Sequence, residues 1–476
     1  MKKNILLCFA TIALFSHEIY SQSPTATIAL WKNDAKGAYT IIHDDYGTSV
    51  VDGIWQYADT IAFNRGLKIT FGAIAIECET HRNIKGYINP YGYAKNVMID
   101  LHHHEIINHS HTHSCAVNRG WSPCDVTGWG ETVGTSEWNT ELVNSNNSIL
   151  TGTGVAPKFY IYPYDQFTDT ANSKLQSMGY IGSRTGWSID GVQRSYPRFG
   201  YEANDLGDFY PDDKGFFRTS VQVFDDADGL KNDAGQLSTL NLGVDSAIMY
   251  GEWANRELHN VGNSGWGTVR VAPYRNHLNY VKSKVQSGDL WMGTVSEILT
   301  YQMQKLKFIP SASYSANSQV TTVNFADSKP EIAVNVADYL APLTIKTPVT
   351  VIVDMAGMSE QWIVMQNNTS ITDFTQKNGK LYINVYPHLG PLEIFKISLL
   401  SAYESNVLHR NIYPNPTTSV LNIEGDVKLV RILDLQGVEI KRDCKNTIDV
   451  SDLQDGVYLL KIDSSPLFQK FVKCAQ

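Results

Sequence analysis

The chain is sparing with charge and does not concentrate it. Asp, Glu, Lys and Arg make up 18% of its 476 residues and the formal net charge is -9. No Lys/Arg cluster forms a basic stripe, which argues against a nucleic-acid partner. No stretch beyond the N-terminus is apolar for long enough to cross a bilayer, so the mature chain is expected to carry no transmembrane segment. No CxxC pattern is present, which removes the usual cysteine zinc site. Internal repeats and low-complexity tracts are also missing. What remains is ordinary in hydrophobic content (43%) and rich in aromatics, with 25 Tyr and 10 Trp. Many Tyr and Trp with few charges suit β-structure and carbohydrate contact, although most of them serve β cores. The length is too great for one core, and two to four domains are expected.

The opening "MKKNILLCFATIALFSHEIYSQ" has the form of a secretory signal over residues 1–22. Lys2 and Lys3 supply the charged start, Ile5 to Phe15 the apolar run, and Ser21 a small residue for cleavage. Cys8 lies too early to be a lipid-anchor cysteine. Export permits disulfides. Cys115 and Cys124 bracket a short loop and can pair, Cys444 and Cys474 can pair near the C-terminus, and Cys78 is then left over. Spacing alone does not fix this connectivity.

Residues 23–308 alternate short apolar strands with helical patterns. "GAYTIIHDD", "KITFGAIAI", "FYIYPY", "GYIGSRTG" and "SAIMYGEW" read as strands. "SVVDGIWQYADTIAFNRG", "DTANSKLQSMG", "APYRNHLNYVKSKVQSG" and "TVSEILTYQMQKLK" read as helices. The alternation predicts an α/β fold, a barrel with a parallel core, whose chemistry sits at the carboxyl ends of the strands. Over 309–400 the period changes to that of strands, predicting a small β-sandwich. Residues 401–476 hold short strands split by Asn-Pro, Gln-Gly and Asp-Gly turns, a second small all-β unit.

Two stretches carry chemistry. In "TIIHDDYG", Asp44 and Asp45 follow an apolar strand. Neighbours on a strand face opposite ways, but at a strand's end both carboxylates can reach one site. A turn is the plainer reading of two Asp before a Gly. In "HHHEIINHSHTH", six of the chain's thirteen His fall within twelve positions. His109 and His113 are spaced i,i+4, so on a helix capped by Ser110 they would share a face and grip one cation. Two His and one carboxylate leave open positions, as a catalytic metal site requires. Simple exposure of a polar segment is the alternative.

"HEIINHSHTH" resembles the "GHEIGNHSxxH" stretch of polysaccharide deacetylases of the NodB-homology type, carbohydrate esterase family 4. "TIIHDDYG" resembles that family's "TFDDG" block, with His43 in place of Phe and Tyr46 inserted before Gly47. "PKFYIYPYDQF…GYIGSRTG" and "ELHNVGNSGWG…DLWMGTVSEILTYQ" resemble its third and closing blocks. The resemblance implies a distorted (β/α) barrel of NodB type and a divalent metal held by Asp45, His109 and His113. Zinc is the default ion for such a set, with cobalt, nickel or manganese as substitutes. It implies Asp44 as the base that takes a proton from the attacking water, and His259 as the acid that protonates the leaving group. The backbone N–H of Tyr164 is implied as an oxyanion donor. Asp165 stands where the family has Gly, and the third-block Arg is out of place. Lys158 is nearby, and Arg184 is the candidate to orient Asp44. No DxxDW-type fourth motif is evident, and Asp190 is a stand-in. His102 and His103 are expected to be solvated and His104 to have no role. Trp121, Trp129 and Trp138 are offered to sugar stacking or to loop packing, while the insertion around "RFGYEANDLGDFYPDDKGFFRT" has no assigned role. The implied activity is deacetylation of an acetylated glycan, most readily at N-acetyl groups of amino sugars. Acetyl-ester cleavage of the acetylxylan type, or glycan binding without catalysis, are the alternatives.

The tail "YPNPTTSVLNIEG…VRILDLQGVEI…DVSDLQDGVYLLKI…FVK" resembles the C-terminal sorting domain of type IX secretion cargo. That implies the type IX machinery as a partner, and export through the periplasm and outer membrane. A small carbohydrate-binding module is the alternative for this segment.

Overall fold

The structure is a computed structural model that describes residues 23–120, 122–125, 128–184, 216–219, 221–263, 265–315, 318, 320–327, 347–355, 362–367, 369–396, 411–425, 427–434, 437–462 and 468–474. The expectations for the leader 1–22, Trp121, Asp190 and most of the 198–219 insertion lie outside these residues.

Strand β1 is Thr25–Ile28. The parallel sheet follows with β2 (Gly37–Tyr46), β3 (Thr70–Ala73), β4 (Glu105–Asn108), β5 (Phe159–Ile161), β6 (Gly182–Arg184), β7 (Gln222–Val223), β8 (Trp253–Leu258) and β9 (Leu290–Met292). Their order is β6-β5-β4-β3-β2-β8-β7, with β9 also on β2. Thr219 bridges in parallel to Arg184 at the end of β6, while Gln222–Val223 pairs with β8. One short segment therefore touches both ends of the sheet and closes it into a distorted barrel, as the alternating pattern predicts. Helices follow the strands and cover the outside, among them Asp233–Tyr250 and Val271–Gln286. "SAIMY" ends the first of these, capped by Gly251 in the left-handed conformation, so the expected strand there begins only at Trp253. The apolar run misleads because a buried helix and a buried strand look alike over five residues.

Because successive side chains on a strand alternate, β2 serves two cores. Ala38 and Ile42 pack with Ile107, Phe159, Ile161 and Trp253. Tyr39 and Ile41 pack with Phe71, Leu240 and Tyr274.

Beyond the barrel come β10 (Phe308–Ser315), β11 (Val320–Asp327), β12 (Val349–Asp354), β13 (Trp362–Gln366), β14 (Thr369–Ile371), β15 (Phe374–Lys377), β16 (Lys380–Val385) and β17 (Leu392–Lys396). They form two antiparallel sheets, β1-β12-β16-β15 and β10-β11-β17-β13-β14. The two sheets enclose Val323, Val351, Val353, Val364, Ile383 and Ile394. The first strand among the described residues thus belongs to this sandwich, with Thr25 opposite Asp354. Its alternating "TATI" offers too little apolar surface for a barrel strand. The C-terminal strands form two further sheets around Leu421, Ile432, Ile448, Leu460 and Phe471.

Cys115 and Cys124 are joined in a disulfide. Cys444 and Cys474 are not joined, and Cys78 is a free thiol buried in the barrel.

Candidate active site

Five strands deliver side chains to one place at their carboxyl ends. Asp44 keeps the inward alternation of Ala38, Thr40 and Ile42. Asp45 departs from it: the register between β2 and β3 shifts between His43 and Tyr46, and Asp45 has φ 64°. This bulge turns Asp45 toward the same site as Asp44. The inserted Tyr46 donates from its hydroxyl to the Pro90 carbonyl, which holds the bulge from the outer side.

His109 follows β4 directly. No helix carries the His pair; residues 109–115 are an irregular loop with Ser110 at φ 69° and His113 at φ 63°. Side chains fix this conformation. Asn108 Oδ1 accepts from the Ser110 N–H, and Ser110 Oγ accepts from the His113 N–H. The buried Glu141 carboxylate accepts from the N–H groups of His111 (2.8 Å) and Thr112 (3.0 Å) and from the Thr112 hydroxyl (2.6 Å). The Cys115–Cys124 disulfide begins two residues after His113. The i,i+4 spacing brings the rings together, centroids 4.8 Å apart, by this tight loop and not by a helical face.

Asp45 Oδ1 lies 3.3 Å from Nε2 of His109 and 3.3 Å from Nε2 of His113. His109 Nδ1 faces the Ile161 carbonyl at 3.1 Å. A carbonyl can only accept, so Nδ1 carries the proton and Nε2 turns its lone pair toward Asp45. Asp45 Oδ1 is buried with no hydrogen bond. Burial, followed by the neighbouring His109, pushes the His113 pKa down to about 4, which leaves its imidazole neutral. Burial raises Asp45, but His109, His113 and His259 outweigh it and hold the carboxylate well below its usual range. Burial acts against the charged form of His109, but Asp44 and Asp45 outweigh it and raise its pKa, as a ring facing two carboxylates requires. Two imidazoles that converge on a carboxylate whose buried oxygen has no hydrogen bond fit a divalent cation. A tetrahedral ion with bonds of about 2.0–2.1 Å spaces its donors by roughly 3.3 Å.

Beside this set, Asp44 is clamped by Arg184, Nη1–Oδ1 3.0 Å and Nη2–Oδ2 2.5 Å. Arg184 also reaches Asp165 through Nε (3.1 Å) and Glu257 through Nη2 (3.2 Å). One buried guanidinium therefore serves three carboxylates, Asp44 and Glu257 buried and Asp165 partly so. Burial raises Asp44, but Arg184 and His109 more than reverse this, so it stays ionised. Asp165 and Glu257 are both raised, by burial first. Asp165, which departs from the family pattern, is thus the outer partner of Arg184. Lys158 is remote from the site and points to the Gly179 carbonyl.

His259, after β8, places Nε2 3.9 Å from Asp45 Oδ2 and Nδ1 3.8 Å from Glu257 Oε1. Its carbonyl accepts from His43 Nδ1 at 2.8 Å, while His43 Nε2 takes the Tyr274 hydroxyl at 3.0 Å. The His that replaces Phe therefore ties the His259 backbone to the Val271–Gln286 helix. Glu257 escaped sequence reasoning, although it stands two residues before His259 and so shares its face of the strand. Glu141 left no sequence signal at all. Tyr164 has φ 54° and packs its ring on His113, centroids 4.8 Å apart. With His113 it borders a cleft of about 450 Å³ that Ser114, Pro123, Glu137 and Thr140 also line.

The other histidines divide differently from expectation. His102 is buried, stacks on Phe63 at 4.0 Å and lies 3.4 Å from Asp59; only His103 is exposed. His104 is buried between the Ile69 N–H and the Asp59 carbonyl. Trp129 and Trp138 are core residues that meet edge to face, and Trp129 stacks on Tyr162. Trp129 also lines the cleft beside His113, whereas Trp138 does not.

The Secretion system C-terminal sorting domain family matches residues 411–473. This segment is a sorting domain. It marks the chain for type IX secretion to the cell surface or the extracellular space, and no helix among the described residues is long and apolar enough to cross a membrane. No curated protein matches the chain. Among solved structures, the barrel region is similar to carbohydrate esterases of family 4. The Xyl-CE4 domain of a multidomain xylanase from the hindgut metagenome of Trinervitermes trinervoides is 15% identical over 56% of this chain and 91% of that one, TM-score 0.32. A family 4 acetyl xylan esterase from Clostridium thermocellum, in complex with a cobalt ion, is 14% identical over 55% and 90%, TM-score 0.32. The Bc1960 peptidoglycan N-acetylglucosamine deacetylase is 10% identical over 56% and 88%, TM-score 0.33.

Proposed function

We propose that the sorting domain exports a metal-dependent deacetylase that releases acetate from an acetylated glycan, with N-acetyl groups as the first choice. The observation that carries this reading is the convergence of Asp45 Oδ1, His109 Nε2 and His113 Nε2, with an ionised Asp44 on one side and His259 on the other. Asp45, His109 and His113 would hold the cation. Zinc suits two imidazoles and a carboxylate, and cobalt, nickel or manganese can replace it. When bound, such an ion lowers the pKa of water and polarises a carbonyl.

The remaining steps belong to side chains. Asp44 is oriented by Arg184 and stays charged, so it can accept the proton of the attacking water. His259 delivers a proton to the departing atom. An amide nitrogen needs that proton far more than an ester oxygen does, so a histidine at this position suits the amide. Tyr164 supports the acyl side, where its N–H is the candidate oxyanion donor.

The test is acetate release by the full chain from N-acetylglucosamine oligomers and from acetylxylan, before and after chelation, together with elemental analysis. Release that follows the metal supports the reading. A metal-loaded protein that releases no acetate from either substrate refutes it.

A further inference from the structure

The ladder between β2 and β8 ends at the pair His43 and Leu258, and His259 is the next residue. Its carbonyl takes a hydrogen bond from a side chain: the fully buried His43 donates from Nδ1 at 2.8 Å. In the neutral ring Nε2 then accepts from the Tyr274 hydroxyl at 3.0 Å. The His259 ring has less to hold it. Its Nδ1 is buried with no hydrogen bond, 3.8 Å from Glu257, and its Nε2 is 3.9 Å from Asp45. Both approaches are too long for hydrogen bonds. Trp266 meets the ring edge to face at 4.6 Å and gives it a wall, not a tether. The backbone of His259 therefore decides where the ring points.

The tether does not stop at Tyr274. One helical turn on, His277 Nε2 meets the Tyr39 hydroxyl at 2.9 Å, and its Nδ1 meets Asn241 Oδ1 at 2.8 Å. Tyr39 and His43 share one face of β2, and Tyr274 and His277 share one face of the Val271–Gln286 helix. Two polar rungs thus join strand to helix, and Asn241 joins that helix to Asp233–Tyr250. Around the rungs lie Ile41, Phe71, Leu240 and Leu278. Apolar side chains would pack there without the cost of desolvating four polar groups. What they could not supply is a donor for the His259 carbonyl. In the block that "TIIHDDYG" resembles, the place of His43 is held by Phe, which has no donor to give.

From this geometry we propose that His43 is a positioning residue for His259. It pins the carbonyl of the acid to β2 and, through Tyr274, to the outer helix, so the ring stays aimed at the departing atom. The inference rests on the deacetylase reading, in which His259 supplies that proton, and deepens it. It also marks which step must suffer when the tether is cut. A leaving group that departs without a proton needs no aimed acid.

The experiment compares the metal-loaded full chain with His43→Phe, His43→Asn and Tyr274→Phe. Acetate release is measured from an N-acetylglucosamine tetramer, an amide, and from 4-nitrophenyl acetate, an ester whose leaving group departs as an anion. In His43→Phe, kcat on the amide should fall about 10- to 100-fold with KM and metal content unchanged, and the ester rate by less than about 3-fold. Tyr274→Phe should move the same way by about 2- to 5-fold. The side-chain nitrogen of Asn occupies the place of His Nδ1, so His43→Asn should recover most of the amide rate. Equal losses on both substrates, or no loss on the amide, overturn the positioning and leave the deacetylase. Crystal structures of the native protein and His43→Phe read the same point without turnover. A native protein that releases no acetate, with a His259 ring that has moved in the variant, overturns the deacetylase and leaves the positioning. A ring that has kept its place overturns the positioning.

Discussion

Replacing Arg184 by Met would leave the buried Asp44 and Glu257 and the partly buried Asp165 around an apolar side chain. In the native protein the three contacts run at 2.5, 3.1 and 3.2 Å from one guanidinium. Removing one partner from a buried charge pair costs about 3–5 kcal/mol, and here the lost partner serves three anions, so the upper end is expected. The pH dependence has a definite sign. Without the guanidinium, burial raises the folded-state pKa of all three carboxylates above their unfolded values. A carboxylate raised in this way loses stability as pH climbs through the folded value and recovers it on acidification. The deficit of Arg184→Met should therefore be largest near pH 8 and smaller near pH 5. Urea unfolding at both pH values, in chelator so that metal binding does not contribute, reads this directly. Arg184→Lys keeps a charge but loses the two-pronged grip on Asp44, and should fall between. A deficit below about 1 kcal/mol at pH 8, or one that grows toward pH 5, would refute the clamp.

Asp44→Asn should keep the metal by elemental analysis while turnover falls by about 10²- to 10⁴-fold, whereas His113→Ala loses both; full activity of Asp44→Asn would remove its role as base. Glu141→Gln loosens the loop that presents His113, and metal affinity by competition with a chelating dye should weaken by about 10- to 100-fold; unchanged affinity would make Glu141 a purely structural residue. Glu105 concerns stability alone. Burial lifts its pKa to about 7 despite hydrogen bonds from Thr70 and Ser296. Its contribution is therefore complete below about pH 4.5 and declines until pH 7. Glu105→Gln should gain on the native protein between pH 4 and pH 8, by at most about 3 kcal/mol in urea unfolding. A difference that does not vary with pH would show that the carboxyl is not raised.

Much of this architecture was legible because it rests on period and spacing. The strand at 37–46, the helices at 271–286 and 295–307 and the change of texture after 308 each follow from apolar periodicity. The residues Asp44, Asp45, His109, His113, Arg184 and His259 were visible as motifs, and the structure brings them together. What stayed hidden depends on side chains far away in sequence. The His109–His113 spacing suits a helix, and only Asn108, Ser110 and Glu141 hold it as a left-handed loop. In "WANREL" every residue is buried, so alternation cannot distinguish Glu257, which faces the site, from Arg256, which faces away. His102 looks polar and exposed until Phe63 and Asp59 close over it. Cys444 and Cys474 are near in sequence order, but nearness of that sort does not align two thiols.

The pairing of Thr25–Ile28 with Val351–Asp354 has a temporal meaning. Strand Thr25–Ile28 is made long before the partner it needs, and it waits unpaired until most of the polypeptide exists. In a chain that lacks this strand, "VTVIVD" has a bare, apolar flank, the kind of edge on which strands of separate molecules join. Shaving a few residues from the start of the folded protein should accordingly show first as clumping, with the chemistry at the far end of the barrel still intact.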